Sequence, residues 1–352
     1  MNRAAMIGLI PLSGLYGVAM KARRALYRNG LFRVHRVGAP VISVGNITTG
    51  GTGKTPLVEW IARALAPQEK RVCIVTRGYG RQHASSRVLV SNGVEIFSDA
   101  QEAGDEPLLL AEKLKGIAAV ICDADRVAAA RWAIEKLNSE LFILDDGFQH
   151  MRVARDLNIV VVDATNPWGN GRLLPAGNLR ESPAQLTRAD CVVITRADDV
   201  AQTEALQSEI DQMSKGRPVF RSRMKIEGLR NLNGEVEELS AELKSGPVTA
   251  FCGIGNPESF FAQLQRGGYQ LCHTRAFPDH HYYTQAEINT LVSQSAARGA
   301  RALLTTAKDE IKLRALSLDM RCYIVDVAIE IAAQDELLRL IEKAIGRSGR
   351  ES

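Results

Sequence analysis

Residues 39–56 read Ala-Pro-Val-Ile-Ser-Val-Gly-Asn-Ile-Thr-Thr-Gly-Gly-Thr-Gly-Lys-Thr-Pro, a β-branched run that stops at glycines and a lysine and then passes into an apolar helical pattern. Val41-Ile-Ser-Val44 suits a buried strand, while Leu57, Val58, Ile61, Ala62 and Leu65 recur at the spacing of one helix face. Between them Gly50, Gly51 and Gly53 let the backbone turn its N–H groups inward, so an anion is held at a helix N-terminus by unpaired donors and the dipole. The expected phosphate-binding loop comprises Thr48, Thr49, Gly50, Gly51, Thr52, Gly53, Lys54 and Thr55. Lys54 is placed to reach the β- and γ-phosphates, and Thr55 to ligate magnesium through its hydroxyl. Thr48 stands where the G-x-x-x-x-G-K-[ST] pattern has its first glycine; the strand before and the helix after supply the context that the string lacks.

The strand–helix rhythm continues. Arg71-Val-Cys-Ile-Val-Thr76 reads as a second buried strand and is followed by Arg77-Gly-Tyr-Gly-Arg81. Residues 88–90 and 94–97 flank Ser91-Asn92-Gly93 as a hairpin would. Gly104-Asp105-Glu106-Pro107 opens a helical run with both carboxylates at its N-terminus. Strands are expected at 118–122, 141–144, 159–162 and 191–194, with a helix over 126–137. So many units in succession predict an α/β chain, a P-loop NTPase-type parallel sheet flanked by helices, with its site at the strands' carboxyl ends. Asp145 and Asp146 close the apolar strand Leu141-Phe-Ile-Leu144 roughly ninety residues after Lys54, where a Walker B carboxylate would face the magnesium.

The helical periodicity lapses after residue 216, and Asn233-Gly234 sits between alternating segments. The predicted organisation is therefore an N-terminal basic segment at 1–36, a P-loop core domain at 37–216, a β-hairpin linker at 217–240 and a smaller C-terminal α/β domain at 241–352.

Charge is distributed unevenly. The net charge is +4, yet residues 1–40 carry Arg3, Lys21, Arg23, Arg24, Arg28, Arg33 and Arg36 and no acid, so the rest of the chain is net negative. The uncharged stretch 4–20 is interrupted by Gly8, Pro11, Gly14 and Gly17 and falls short of the roughly 20 apolar residues of a spanning helix. A signal peptide fits poorly before a loop that needs cytosolic nucleotide. The remaining readings are an interfacial helix, apolar first and cationic after, resting on an anionic leaflet, or an ordinary packed helix with a solvated basic face. The six cysteines are scattered singly with no C-x-x-C pair, as buried thiols of a reducing compartment would be.

Phosphoryl transfer to a hydroxyl also needs a group that orients the acceptor and takes its proton; Asp105 and His280, in Phe277-Pro-Asp-His-His-Tyr282, are candidates. His273, Asp279, His280 and His281 lack the spacing and soft ligands of a zinc site.

Taken in order, the loop, Thr76-Arg-Gly-Tyr-Gly-Arg81, Gly104-Asp-Glu-Pro107, Leu144-Asp-Asp-Gly-Phe-Gln-His150, Leu174-Pro-Ala-Gly177 with Leu179-Arg-Glu181, and Phe277-Pro-Asp-His280 closely resemble the tetraacyldisaccharide 4'-kinase (lipid A 4'-kinase) family from about residue 37 to 313. The resemblance implies ATP and Mg2+ as cofactors, and phosphorylation of a tetraacyl disaccharide 1-phosphate to lipid IVA at the cytoplasmic face of the inner membrane, with a glycolipid and the membrane surface as partners. Carried over by motif, Lys54 and Thr55 bind phosphates and magnesium, Asp145 and Asp146 serve the metal site, and Asp105 acts as base with His280 its partner. Glu106, Arg126, Arg180 and Glu181 fall at further polar positions of the family's site, and Tyr79 and Arg81 meet the substrate headgroup. Asn178 and Ala307 depart from the pattern as proline and glutamate replacements. No nucleic-acid partner is expected, and a monomer is. The alternatives are a P-loop GTPase or ATPase switch or metallochaperone, with Thr195-Arg-Ala-Asp198 a partial match to a guanine-reading motif that lacks its lysine, and a kinase for a soluble metabolite.

Overall fold

The structure is a computed structural model that describes residues 8–348 except 69, 80, 82, 84, 233 and 238–242. Arg3, Gly80 of the Tyr-Gly-Arg turn and Asn233 of the expected hairpin lie outside the described residues.

The chain forms two compact units, Met1–Arg223 with Glu330–Ser352, and Met224–Ile329. The sequence reading instead put a linker at 217–240 and a domain from 241 to the end. Contacts divide the chain elsewhere because it changes unit inside two long strands, Val219–Asn231 and Cys322–Ile331, where no Gly- or Pro-rich stretch marks a boundary. The last helix, Gln334–Ser348, counts with the first unit, where the Gln68 amide donates to Glu342 at 3.2 Å.

The first unit is built on β1 (Val41–Asn46), β2 (Val72–Thr76), β3 (Val88–Ser91), β4 (Ala118–Cys122), β5 (Leu141–Asp145), β6 (Leu157–Asp163), β7 (Cys191–Thr195) and β8 (Val219–Asn231). Their order across the sheet is β8-β7-β6-β1-β5-β2-β4-β3, parallel except for β3 at the edge. β1, β2 and β4 to β7 are buried at every position, which is why they read as unbroken apolar runs instead of alternating ones. One face packs Val75, Ile121, Phe142 and Leu144 against Val127, Ala130 and Ala133 of the helix Arg126–Leu137. The other packs Val160, Val162, Val192 and Ile194 around Leu186, Leu206 and Ile210. The predicted face of the loop helix, Leu57, Val58, Ile61, Ala62 and Leu65, is buried as spaced.

Register fixes where the chemistry sits. Val44 of β1 pairs with Asp145 of β5, and the Gly147 N–H donates to the Val44 carbonyl at 3.0 Å. The loop after β1 and the two aspartates after β5 therefore leave the sheet side by side. At Gly45 the strands' continuations come so close that an added Cβ would lie 2.5 Å from the Phe148 nitrogen.

Before the sheet, the helix Ile10–Arg28 lies on the segment 173–181. Ser13 Oγ donates to the Leu173 carbonyl at 2.9 Å and accepts from the Ala176 N–H at 2.9 Å, and Tyr16 donates to the Arg180 carbonyl at 3.0 Å. Ile10, Leu12, Leu15 and Val18 on the same helix are exposed.

In the second unit, β10 (Pro247–Cys252) lies between β11 (Gln270–Ala276) and β12 (Leu303–Thr306), all parallel, with β13 (Cys322–Ile331) beyond β12. β9 (Val236–Glu237) pairs antiparallel with β8 through Leu229 and Arg230. All six cysteines are free and five are buried; burial pushes the Cys73 thiol up to about 12.

Gly45→Ala should cost about 2 kcal/mol, because the added methyl meets backbone that cannot move aside. Gly14→Ala, in the N-terminal helix with nothing within 4 Å of the new methyl, should gain about 0.5 kcal/mol. Urea midpoints of the two variants check the contrast.

Candidate active site

Gly53, at φ +82°, caps the helix Lys54–Leu65, so Lys54 opens it at the point where the N–H groups are unpaired. The loop is held from three sides. Asn46 Nδ2 donates to Thr52 Oγ1 at 2.8 Å, and the Thr49 N–H donates to the Asn178 carbonyl at 2.8 Å. From the end of β7, Thr195 Oγ1 donates to the Thr52 carbonyl at 2.8 Å and Arg196 Nη1 to the Gly51 carbonyl at 3.0 Å. Two loop carbonyls are thereby satisfied by protein donors, which favours an anion facing the loop's N–H groups. Thr195 and Arg196 of the partial guanine-reading match thus support the phosphate loop itself.

Lys54 Nζ lies 3.4 Å from Asp146 Oδ1, an ion-pair contact, and Arg180 Nη1 donates to Asp146 Oδ2 at 2.6 Å. Burial alone would raise the Asp146 carboxyl, but Lys54 and Arg180 outweigh it and hold it below its ordinary value. Asp145 behaves in the opposite way. Burial, then the negative charges of Glu106 and Asp146, push its carboxyl up to about 6 although Thr76 Oγ1 donates to Oδ2 at 3.1 Å. Asp145 Oδ1 is buried and has no hydrogen-bond partner. Asp146 Oδ1, in ion-pair contact with Lys54, is likewise without a hydrogen bond, and anionic oxygens left open beside a phosphate loop suit a divalent cation, so the residues fit magnesium.

Asp105 is buried in the first turn of the helix Asp105–Lys113, behind Gly104 at φ +91°. A side chain at Gly104 would put Cβ 2.6 Å from the Tyr79 carbonyl, so the Tyr79 turn and the Asp105 turn close on each other. Arg126 is buried; burial lowers its pKa, while Asp146 and Asp145 pull it back up. Arg126, Asp146, Arg180, Tyr79 and Thr49 line one cleft of about 510 Å3.

Three expected substrate residues, Glu106, Glu181 and Arg81, are not among those that line this cleft. Glu181, almost fully buried, bonds Arg24 at 3.1 Å and Arg188 at 2.8 Å, fastening the N-terminal helix to the core. Arg81 is buried with Nη1 donating to the Cys122 carbonyl at 3.4 Å. The cleft also includes Tyr16, Arg23, Arg77 and His150, which the sequence reading did not assign. Arg77 and His150 stand inside quoted motifs; nothing local marks Tyr16 and Arg23, which reach the cleft through the docking of the N-terminal helix.

His280 belongs to the second unit. Its backbone is left-handed at φ +60°, and its N–H donates to the Gly253 carbonyl at 3.2 Å. Its Nε2 is 3.4 Å from Lys308 Nζ, which bonds Asp279 at 3.1 Å.

The fold and the loop define a class: an α/β P-loop nucleotide-binding enzyme with a basic cleft beside the phosphate site. Comparison narrows it. Residues 5–346 match the sequence model described as LpxK, tetraacyldisaccharide-1-P 4'-kinase. The chain is 43% identical over 313 residues to tetraacyldisaccharide 4'-kinase of Geobacter metallireducens, covering 89% of this chain and 90% of that one. It is 40% identical over 315 residues to that of Desulfotalea psychrophila, covering 89% of each. The crystal structure of "apo" form LpxK from Aquifex aeolicus in complex with ATP superposes with a TM-score of 0.76 at 34% identity, covering 97% of this chain and 99% of that one. The chain belongs to the tetraacyldisaccharide 4'-kinase family.

Burial, then the cations Arg126 and Arg155, hold His150 down at about 3. A histidine depressed from 6.5 contributes stability that is present above 6.5 and lost as pH falls toward the folded value. Between about pH 7 and pH 5 His150 should account for about 2 kcal/mol of lost stability. His150→Gln should flatten the denaturation free energy over that interval by this amount.

Proposed function

We propose that the protein transfers the γ-phosphoryl group of ATP to the 4'-hydroxyl of a tetraacyl glucosamine disaccharide 1-phosphate, giving lipid IVA. The carrying observation is the junction of Lys54, Asp145 and Asp146 at one sheet edge with a cleft that Arg126, Arg180 and Tyr79 line. The phosphate loop and Lys54 hold the β- and γ-phosphates. Thr55 and Asp145, with Asp146 beside them, would hold magnesium, which supplies charge neutralisation at the transferring group.

The acceptor oxygen attacks the γ-phosphorus in line, its proton passes to the Asp105 carboxylate, and the bond to the β,γ-bridging oxygen breaks to release ADP. Lys54 and Arg126 stabilise the charge that develops, and most of the rate comes from positioning and from these preset cations. Glu106 and Arg180 orient groups around the two aspartates, and Tyr79 meets the sugar headgroup. His280 also takes part in catalysis; its support is the motif and a left-handed backbone of the kind that gathers at functional positions.

The glycolipid keeps its acyl chains in the leaflet, so the cleft works against the bilayer surface. The exposed Ile10, Leu12, Leu15 and Val18 followed by Lys21, Arg23, Arg24 and Arg28 suit a helix lying in the interface. No described helix is long and apolar enough to cross a membrane. We infer a peripheral place on the cytoplasmic face of the inner membrane and a monomer that acts without nucleic acid.

Labelled-ATP transfer to the glycolipid, with a soluble disaccharide as control, tests the reading. Lys54→Ala should abolish turnover. Asp105→Ala should lower kcat by about 10²–10³ with nucleotide affinity kept, and an unchanged kcat would remove Asp105 from the base's role. His280→Ala should also depress kcat, whereas a full-rate variant would make it a packing residue.

A further inference from the structure

The helix Ile10–Arg28 and the phosphate loop both hold the segment 173–181. On the helix side, the buried Ser13 hydroxyl donates to the Leu173 carbonyl and accepts from the Ala176 N–H, each at 2.9 Å, and Tyr16 donates to the Arg180 carbonyl at 3.0 Å. Gly17 lets Leu173 lie against the helix, since an added Cβ there would be 2.9 Å from Leu173 Cδ1. On the loop side the segment runs antiparallel to the loop's entry. Thr48 is bridged to Leu179, the Thr49 N–H donates to the Asn178 carbonyl at 2.8 Å, and the Arg180 N–H donates to the Ile47 carbonyl at 2.7 Å.

A second line joins the same two elements. Arg24 bonds Glu181 at 3.1 Å, Gln149 Nε2 donates to Glu181 Oε1 at 3.3 Å and to the Asn46 carbonyl at 2.8 Å, and Asn46 Nδ2 donates to Thr52 Oγ1 inside the loop. The segment between helix and loop has no slack. An added Cβ at Gly177 would lie 2.1 Å from Asn170 Oδ1 and 2.2 Å from the Arg172 carbonyl, and groups packed this closely pass a displacement on instead of absorbing it.

We propose that Ser13 is a positioning residue of the phosphate loop, acting through the segment 173–181, so that docking of the N-terminal helix and binding of a nucleoside triphosphate favour each other. A loop released at Thr49 would have to be ordered when the phosphates arrive, and that ordering subtracts from affinity. The linkage is reciprocal: whatever the docked helix adds to nucleotide affinity, bound nucleotide adds to docking. The inference rests on nucleotide occupying the loop, as proposed above, and does not depend on the acceptor.

Calorimetry of the full chain with magnesium and the non-hydrolysable adenosine 5'-(β,γ-imido)triphosphate tests it, together with hydrogen exchange. Ser13→Ala, which leaves the buried Ala176 N–H without that acceptor, should weaken nucleotide binding about fivefold, the low end of such couplings. Gly17→Val, which presses the helix away from Leu173 without removing a hydrogen bond, should weaken it as well. Gly14→Ala, with nothing within 4 Å of the new methyl, should leave it unchanged. In the parent, amides of residues 10–28 should exchange about fivefold more slowly once nucleotide is bound, a response that packing of the helix alone would not give. That protection should shrink in Ser13→Ala. Nucleotide affinity equal to the parent's in both folded variants would overturn the proposal. Helix exchange that ignores nucleotide would do the same, and the parent alone supplies this result if neither variant folds. Linked binding of nucleotide with the glycolipid left unphosphorylated would strike the proposed reaction and leave this inference standing.

Discussion

The parallel pairing of β1 with β5 in a single register is the constraint on which the site depends. With Val44 opposite Asp145, the phosphate loop and the double aspartate emerge together at the carboxyl edge, and Lys54 reaches Asp146. A slip of one residue would turn each side chain to the opposite face of the sheet and part the lysine from its carboxylates. Gly45 and Gly147 keep that register tight: a side chain at Gly147 would put Cβ 2.5 Å from Ser43 Oγ.

Two adjacent carboxylates in that position have different environments. Asp146 is stabilised as an anion by Lys54 and Arg180, whereas burial makes ionised Asp145 costly, and each keeps one oxygen without a hydrogen bond. An uncompensated buried carboxylate is a stability cost that a bound cation removes, the kind of cost that tends to persist where function requires it. The ion pair with Asp146 keeps Lys54 extended toward the site before nucleotide arrives, which limits the ordering needed on binding. Glu181 has a comparable role one layer back. Its ion pairs with Arg24 and Arg188 hold the N-terminal helix where Tyr16 and Arg23 become part of the cleft.

Much of this was legible in the chain. Fully buried parallel strands write themselves as apolar runs, so the strands 41–46, 72–76, 118–122, 141–145, 157–163 and 191–195 were placed to within a residue or two, and the loop helix showed its core face. Gln270-Leu-Cys-His-Thr-Arg-Ala276 escaped notice because it is an edge strand with polar side chains at mostly half-buried or exposed positions. The helices Thr203–Ser214 and Gln285–Ala297 carry short stripes, Leu206, Ile210 and Met213 on one and Ile288, Leu291 and Val292 on the other, that stand out little among polar neighbours. Lys54, Asp145, Asp146, Arg126 and Arg180, to which motif and resemblance point, come together at the end of β5 and in the adjoining cleft. The structural duty of Glu181 was not legible, because which cations surround a glutamate is decided by chain segments far apart in sequence. The same holds for Thr195 and Arg196, whose use in bracing the loop depends on β7 lying one strand beyond β6.

The central claim is that a nucleotide triphosphate on this loop faces a sugar hydroxyl presented in the adjoining cleft. Phosphorus NMR of the lipid product after incubation with ATP, magnesium and tetraacyl disaccharide 1-phosphate tests it most directly. The account predicts a new phosphomonoester on the 4'-oxygen of the distal glucosamine, formed in step with ADP. Release of inorganic phosphate with the glycolipid unchanged, or a phosphate on any other oxygen, would contradict it.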